Sequence, residues 1–255
     1  MTQWLRYTHQ GKSGFGQLRG EEIEVYSGDL FNNPKSTNFS LKLKDVELDI
    51  PCVPSKFIAL VDNFYALVTK LEHAVPEEPL YFLKASNSYL AAGQTIRVPK
   101  SYSGKVIYEG ELGIVIGKAC SGTSESDAAE YIFGYTCVND VTAIEILNRN
   151  PGYAQWTRSK SFDTFGVFGP TITTGIDPMG LSIKTILNEQ ERQNYPISDI
   201  IFSPAKLVSL ISHDMTINPG DIIACGTSIG VGSMKPGSQV SVVIDGVGKL
   251  DNRFE

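Results

Sequence analysis

Short apolar stretches separated by glycine, proline and small polar residues dominate the chain, which is typical of β-strands joined by turns. After residue 80 the pattern predicts strands at LYFLKA, QTIRVP, KVIYEGELGIVIG, IFGYTCVND, GVFGPTITT, SIKTILNE, DIIACG and SQVSVVIDGVGKLDN. Before that point, KFIALVD is predicted as a buried strand and NFYALVTKLEHA as a short helix with an apolar face. We therefore expect a β-rich protein with few helices.

Two further helices are predicted from their N-terminal capping residues. SESDAAEYI begins after a Ser124 cap, with Asp127 at the third helical position, and SPAKLVSLISHD has Ser203 as its cap. Pro204 then occupies the first helical position, where a missing backbone N–H costs no hydrogen bond. These two segments are the strongest helix predictions in the chain.

The first 50 residues alternate short β-like stretches with Gly, Asn, Pro and Ser, which predicts small antiparallel hairpins. Pro51 and Pro54 bracket a boundary. We therefore expect a small N-terminal β-subdomain over residues 1–53 and a larger domain over residues 54–255, together forming a β-rich α+β fold.

The composition excludes several classes of protein. The 255 residues include 22 basic and 28 acidic side chains, and the cations are dispersed, which disfavours a nucleic-acid partner. Gly and Pro are abundant, with 24 and 13 residues, which disfavours an all-helical bundle. No apolar run approaches the roughly 20 residues of a membrane helix, and the N-terminus lacks the apolar core of a signal peptide, so we expect a cytoplasmic protein without a membrane partner.

The cysteines are far apart and form no C-x-x-C pair, which argues against a zinc site or a redox pair. We expect buried or incidental thiols at Cys52, Cys120, Cys137 and Cys225.

Two carboxylates stand out in YEGELGIVIG. The period of a strand places Glu109 and Glu111 on one face, about 7 Å apart along the strand. One interpretation is the solvent-facing side of an edge strand. However, the apolar LGIVIG that follows indicates a buried strand, and a buried carboxylate pair needs a cation or a proton.

Asp140 is a third candidate ligand, because it ends the apolar strand IFGYTCVND. The alternative is a helix cap for the segment VTAIEIL. Three carboxylates with open coordination positions would suit Mg²⁺ or Mn²⁺, which take further ligands from water or a chelating substrate.

Five motifs in order resemble the fumarylacetoacetate hydrolase family, in its short form with an N-terminal subdomain. They are EGELGIVIGK, GYTCVNDVTA, WTRSKSFDTFGVFGP, NEQERQN followed by SDIIF, and NPGDIIACGTSIGVG, and the resemblance runs from about residue 54 to the C-terminus. It implies a mixed β-roll or barrel core, a homodimer, and 2-oxo acid or 1,3-dicarbonyl substrates that chelate a metal. The implied metal is magnesium, held by Glu109, Glu111 and Asp140.

The resemblance also implies roles for other residues. Lys160 matches a lysine beside the metal, where an ammonium stabilises an enolate or transfers a proton. Thr227, followed by Ser228 in a glycine-rich loop, matches a threonine that holds a substrate carboxylate. Further candidates for substrate binding are Asn63 and Lys84.

The chain departs from the family pattern in a lid segment, which the resemblance places from Asn63 to about Pro79. Hydrolases of the family carry a His and a Glu that activate water, but in NFYALVTK these positions are Leu67 and Lys70. Glu72 and His73 lie nearby and would substitute only if the segment repacks, so we expect them on the lid surface. The arginine that commonly follows NDVTA is replaced by Ile144, and together Leu67 and Ile144 predict a more apolar substrate pocket.

The sequence therefore predicts a magnesium-dependent enzyme acting on a 2-oxo acid or β-dicarbonyl compound. Family frequency favours hydrolysis of a C–C bond, whereas the missing dyad favours decarboxylation or isomerisation through an enolate. The alternative is a catalytically silent metal- or ligand-binding protein on the same fold.

Overall fold

The structure is a computed structural model, and it describes residues 1–150 and 152–255. Its strands begin with β1 (Thr2–His9), β2 (Lys12–Arg19), β3 (Glu22–Asp29), β4 (Asn32–Lys42), β5 (Glu47–Leu48), β6 (Phe57–Val61), β7 (Leu80–Lys84), β8 (Tyr89–Leu90), β9 (Thr95–Ile96) and β10 (Val106–Tyr108). They continue with β11 (Gly110–Ile116), β12 (Ile132–Asp140), β13 (Thr142–Ala143), β14 (Gly166–Thr174), β15 (Ser182–Leu187), β16 (Gln190–Pro196), β17 (Ile222–Ala224), β18 (Gly232–Met234), β19 (Ser238–Ile244) and β20 (Gly248–Phe254). The α-helices are α1 (Tyr65–Lys70), α2 (Glu125–Ala128), α3 (Ile144–Leu147), α4 (Trp156–Lys160) and α5 (Pro204–Asp214).

The strands form three sheets. The main sheet has the order β4-β3-β2-β1-β14-β12-β11-β17-β6-β7, with β5 beside β1 and β8 beside β14. A small sheet has the order β13-β10-β18, and a third has the order β16-β15-β19-β20-β9. The predicted N-terminal hairpins are present as β1 to β4, and they extend the main sheet because β1 pairs antiparallel with β14. The β-rich α+β class is confirmed, whereas a domain division at residue 53 stays a prediction.

Strand β11 lies at the centre of the core. It pairs with β12 along one edge and with β17 along the other. Leu112 and Ile114 pack into one apolar cluster, and Val115 on the opposite face packs into another. Because both faces are covered, every residue of the strand is buried, which explains its continuous apolar sequence.

The predicted single strand KVIYEGELGIVIG is wrong, because the chain changes sheets at Glu109. Before this residue β10 belongs to the small sheet, and after it β11 belongs to the main sheet. Gly110 is needed at this transition, since a Cβ there would lie 2.1 Å from Thr185 Oγ1. The neighbouring strands make the same change after Asp140, from β12 to β13. Two adjacent strands therefore leave the main sheet at the same level and bring their polar residues together.

Helix α5 spans the whole predicted segment after its Ser203 cap, whereas α2 is shorter than predicted. Ser124 Oγ accepts from Asp127 N at the start of α2, and Ser203 Oγ accepts from Lys206 N at the start of α5. Helix α1 ends at Lys70, so the predicted segment NFYALVTKLEHA is only partly helical. Helix α3 lies within VTAIEIL, the segment that the alternative for Asp140 takes as helical, whereas α4 was not predicted. Across residues 1–150 and 152–255, each helix is too short or too polar to cross a membrane.

Candidate active site

Three carboxylates converge where the two strands leave the main sheet. One oxygen each from Glu109, Glu111 and Asp140 lies within 4.8 Å of the others. A hydrogen bond from Asp140 N to Glu109 O, 2.9 Å long, fixes the two strand ends against each other. The sequence alternatives are wrong here, since Glu111 lies on a fully buried central strand and the N-cap residue of α3 is Ala143 rather than Asp140.

The hydrogen bonds around the carboxylates leave acceptor capacity unused. Glu111 Oε2 accepts from Gly226 N at 2.8 Å, but its buried Oε1 has no hydrogen-bond partner among the described residues. The same is true of the nearby buried atoms Asn139 Nδ2 and Ser228 Oγ. An unpaired buried carboxylate oxygen is costly, and a cation would relieve that cost. The donor set, three carboxylates, fits a hard divalent cation.

Two lysines neutralise part of this negative charge. Lys160 Nζ lies 2.7 Å from Glu109 Oε2 and 2.6 Å from Asp140 Oδ2. Lys84 Nζ donates to the second oxygen of Asp140 and, at 3.4 Å, to the carbonyl of Val141. The three carboxylates therefore outnumber the two ammonium groups, so the cluster can accommodate further positive charge.

The pKa values of the three carboxyl groups diverge. Burial, reinforced by Asp140 and Glu109, raises the pKa of Glu111 well above its ordinary value. Burial also raises the pKa of Glu109, although Lys160 opposes it. Asp140 is equally buried, but Lys160 and Lys84 hold its pKa below the ordinary value. Glu111 is therefore the carboxyl that carries a proton most readily until a cation replaces that proton.

The two lysines also differ. Burial acts against the charge of Lys160, but Asp140 and Glu109 more than compensate and raise its pKa above the ordinary value. Burial lowers the pKa of Lys84, whose side chain is completely enclosed. Lys160, at the end of α4, is thus the lysine that keeps a firm positive charge beside the carboxylates.

A cavity of about 470 Å³ opens onto this cluster. Glu109, Lys160 and Thr227 give it a polar side. Asp62, His73 and Asn148 are further polar lining residues. The rest of the wall is apolar and consists of Leu60, Val61, Leu67, Leu71, Ile107, Ile144, Leu147, Trp156 and Val231. Leu67 and Ile144 both line this cavity, and their role in substrate binding stays a prediction.

Thr227 is held by the strand that carries the carboxylates. Its hydroxyl donates to the carbonyl of Gly110 at 3.1 Å and accepts from Gln193 Nε2 at 2.9 Å. Gln193 Oε1 in turn accepts from Gly110 N at 3.0 Å. The preceding Gly226 has a φ of +89°, which favours glycine. A substrate carboxylate at Thr227 would compete with the Gly110 carbonyl for the hydroxyl proton.

Sequence reasoning missed Gln193. It is buried, and it links Thr227 to the backbone between the two glutamates. In the polar strand QERQNYP nothing distinguishes it from Gln190, since a polar side chain on an alternating strand is expected to face solvent. Only its tertiary contacts identify it.

Asn63 lies at the base of the lid. Its Nδ2 donates to the carbonyl of Cys225 at 2.8 Å, and its Oδ1 accepts from Phe202 N at 2.9 Å. The side chain is therefore engaged with the backbone, and it fixes the start of α1 to the strand that precedes the Thr227 loop.

Glu72 and His73, which follow α1, have different surroundings in the structure. Glu72 is exposed, as expected for a lid surface. His73 is also exposed on one side, but it lines the cavity, and its Nδ1 lies 2.7 Å from Asp62 Oδ2. Asp62, which the sequence did not single out, lines the same cavity.

Comparison with known families agrees with the motif order. A family model described as fumarylacetoacetate (FAA) hydrolase C-terminal matches residues 56–255. A second model, described as Rv2993c-like, N-terminal, matches residues 2–51. Together the two matches cover nearly the whole chain.

The similar proteins with a named activity include a tautomerase, an isomerase and a hydrolase. Oxaloacetate tautomerase YisK of Bacillus subtilis is 34% identical over 87% of this chain and 77% of its own length. The crystal structure of 2-hydroxyhepta-2,4-diene-1,7-dioate isomerase from Mycobacterium marinum has a TM-score of 0.90 and 34% identity, and the match covers 100% of this chain and 98% of that one. Fumarylpyruvate hydrolase from Pseudomonas aeruginosa, solved in complex with Mn²⁺ and pyruvate, has a TM-score of 0.73 and 27% identity over 80% of this chain and 90% of its own.

Proposed function

Because this chain belongs to the fumarylacetoacetate hydrolase family, we propose that it is a magnesium-dependent enzyme that converts a 2-oxo acid through an enolate. Its substrate carries an apolar substituent, and the preferred reaction is tautomerisation or decarboxylation rather than hydrolysis of a C–C bond. We further propose that it works as a homodimer.

One observation carries this proposal. A carboxylate cluster with an unpaired buried oxygen, Glu111 Oε1, meets the firmly charged Lys160 beside a largely apolar cavity. A binding protein needs no such juxtaposition of a cation site and an ammonium group. Chemistry that develops negative charge on an oxygen does need it.

In the proposed reaction, Glu109, Glu111 and Asp140 would hold Mg²⁺, which would supply Lewis-acid polarisation of a substrate carbonyl. Lys160, whose ammonium group is hydrogen-bonded to Glu109 and Asp140, stabilises the negative charge of the enolate. At the edge of the cavity, the Thr227 hydroxyl donates to the substrate carboxylate instead of to the Gly110 carbonyl. The apolar wall excludes water and accepts the substituent.

The lid favours non-hydrolytic chemistry. Leu67 occupies the place where a family hydrolase has its histidine, and it lines the cavity from α1. With an apolar side chain there, attacking water has no base at that position. Decarboxylation and tautomerisation need the enolate to be stabilised but need no activated water.

A direct test measures thermal stability with Mg²⁺, with oxalate, and with both. Oxalate mimics the enolate of pyruvate, so we expect Mg²⁺ alone to stabilise the protein and oxalate to add a further increase only when Mg²⁺ is present. A panel of oxaloacetate, acylpyruvates and other 2-oxo acids then identifies the reaction. Stabilisation without turnover of any substrate would favour the silent binding protein, and absence of Mg²⁺-dependent stabilisation would contradict the proposal.

Restoring the family dyad is expected to change the reaction. Leu67 and Lys70 are three residues apart on α1 and so lie on one side of it. The double variant Leu67→His/Lys70→Glu should raise the hydrolysis of simple acylpyruvates by up to about 10²–10⁴-fold, the usual contribution of a general base. Lys70→Glu alone is the control and should have no effect. Efficient hydrolysis by the wild type would show that water is activated elsewhere.

A further inference from the structure

A histidine and an aspartate form a pair on the lid side of the cavity, separate from the carboxylate cluster. His73 Nδ1 lies 2.7 Å from Asp62 Oδ2, and both residues line the cavity that Glu109, Lys160 and Thr227 also line. We propose that His73, oriented by Asp62, is the group that transfers the substrate's carbon-bound proton. This inference rests on the proposed enolate chemistry.

The chain is shaped to bring the two residues together. Asp62 directly follows β6, and His73 lies three residues beyond the end of α1. The helix therefore lies within the segment that connects the two residues. A hydrogen bond from His73 N to the carbonyl of Val68, 2.9 Å long, turns the chain back after the helix. Asp62 and Glu72 both have left-handed φ values, +53° and +56°, at the two bends of this loop.

The pairing sets the chemistry of the imidazole. An aspartate at Nδ1 fixes the tautomer that carries its proton there, which leaves Nε2 as the basic nitrogen. Asp62 is largely enclosed, with 14% of its side chain exposed, whereas His73 is 51% exposed. The carboxylate is therefore the more enclosed member of the pair, and the imidazole is the member that is open to solvent and lines the cavity.

The enzyme otherwise lacks a suitable base at the cavity wall. Lys160 Nζ donates to both Asp140 and Glu109, and Glu109 also accepts from Thr142, so these groups are engaged with one another. Among the described residues that line the cavity, His73 is the one imidazole.

The step balances within the substrate and the pair. The C–H bond next to the keto group breaks, its electron pair moves into the enolate, and the proton forms an N–H bond at His73 Nε2. His73 then returns a proton from Nε2 to the enolate, either at oxygen, which releases the enol, or at carbon, which releases the ketone, and in both cases the imidazole is regenerated. No oxidant or further reactant is required.

Deuterium exchange at C3 of pyruvate tests the proposal. The wild-type protein with Mg²⁺ in D₂O should remove the methyl proton signal in NMR spectra. His73→Gln should slow this exchange by about 10²–10⁴-fold, the usual contribution of general acid–base catalysis, and Asp62→Asn should slow it to a smaller extent. His9→Gln is the matched control, because His9 lies at the end of β1 and contacts the carbonyl of Asp45, and it should exchange at the wild-type rate.

Two further measurements separate a proton-transfer role from a structural one. Free imidazole should partly restore exchange to His73→Ala, since the site is open to solvent. Stabilisation by Mg²⁺ and oxalate should be unchanged in all His73 variants, because the metal site is intact. Wild-type exchange that persists in His73→Gln, or wild-type oxalate binding without any exchange, would overturn the role of His73 while leaving the metal site in place. Loss of Mg²⁺ and oxalate binding in the wild type itself would instead overturn the proposed function.

Discussion

Lys160→Met is expected to abolish turnover while the protein still binds Mg²⁺. The ammonium group of Lys160 stabilises the negative charge that develops on the substrate. Removal of one such donor lowers kcat by about 10²–10³-fold. Steady-state kinetics on whichever 2-oxo acid proves to be the substrate measures this loss. Metal titration followed by thermal stability should show that binding persists.

The same variant should change the metal-free protein. Lys160 bridges Glu109 and Asp140, and all three side chains are largely buried. Removal of one partner of a buried ion pair costs about 3–5 kcal/mol, so the metal-free variant should be less stable and the stabilisation by Mg²⁺ should be larger than in the wild type. Arg158→Met removes an exposed cation from the same helix, and it should alter neither property. A fully active Lys160→Met variant would show that this lysine is structural.

Glu111→Gln is expected to weaken Mg²⁺ binding at least about 100-fold. Even substitutions of residues behind a metal ligand cost 10–100-fold in affinity, and Glu111 is proposed as a ligand itself. The amide oxygen of glutamine can still accept the hydrogen bond from Gly226 N, so the loop that precedes Thr227 should keep its position. Calorimetric titration with Mg²⁺ measures the change, with the exposed Glu130→Gln as the control. Unchanged affinity would contradict the metal assignment.

The pH dependence of stability gives a second measurement on Glu111→Gln. Burial and the neighbouring carboxylates raise the pKa of Glu111 in the folded protein, so the folded state holds this proton more tightly than the unfolded chain does. The metal-free wild type should therefore lose stability as the pH rises above about 4.3, the ordinary glutamate value. The variant has no proton to lose at this position, so it should lose less stability, and it should be the more stable protein at neutral pH without metal.

Prediction from the sequence succeeded where a pattern reports local structure. The caps at Ser124 and Ser203 mark helix starts because they satisfy backbone N–H groups within a few residues. The apolar run after Glu111 indicates a buried strand because both of its faces need apolar side chains. The pair of glutamates indicates a cation site for the same reason, since carboxylates on a buried strand need a cation or a proton.

The tertiary structure decided what meets at the site. The break at Glu109 depends on Gly110 fitting against Thr185, a residue 75 positions along the chain, and no local pattern encodes that contact. Gln193 and Asp62 have ordinary sequence surroundings, and their roles in the structure come from Thr227 and His73, which other parts of the chain bring to them.

The sequence by itself determined the β-rich fold, the helix starts and the set of residues with chemical potential, because these follow from side-chain periodicity, local hydrogen bonding and a recognisable order of motifs. The tertiary structure decided that Glu109, Glu111 and Asp140 lie within 4.8 Å of one another, that Lys160 bridges two of them, and that Leu67, Ile144 and His73 line one cavity. Distances between strands that are remote in sequence depend on how three sheets pack, and that packing is set by contacts across the whole core.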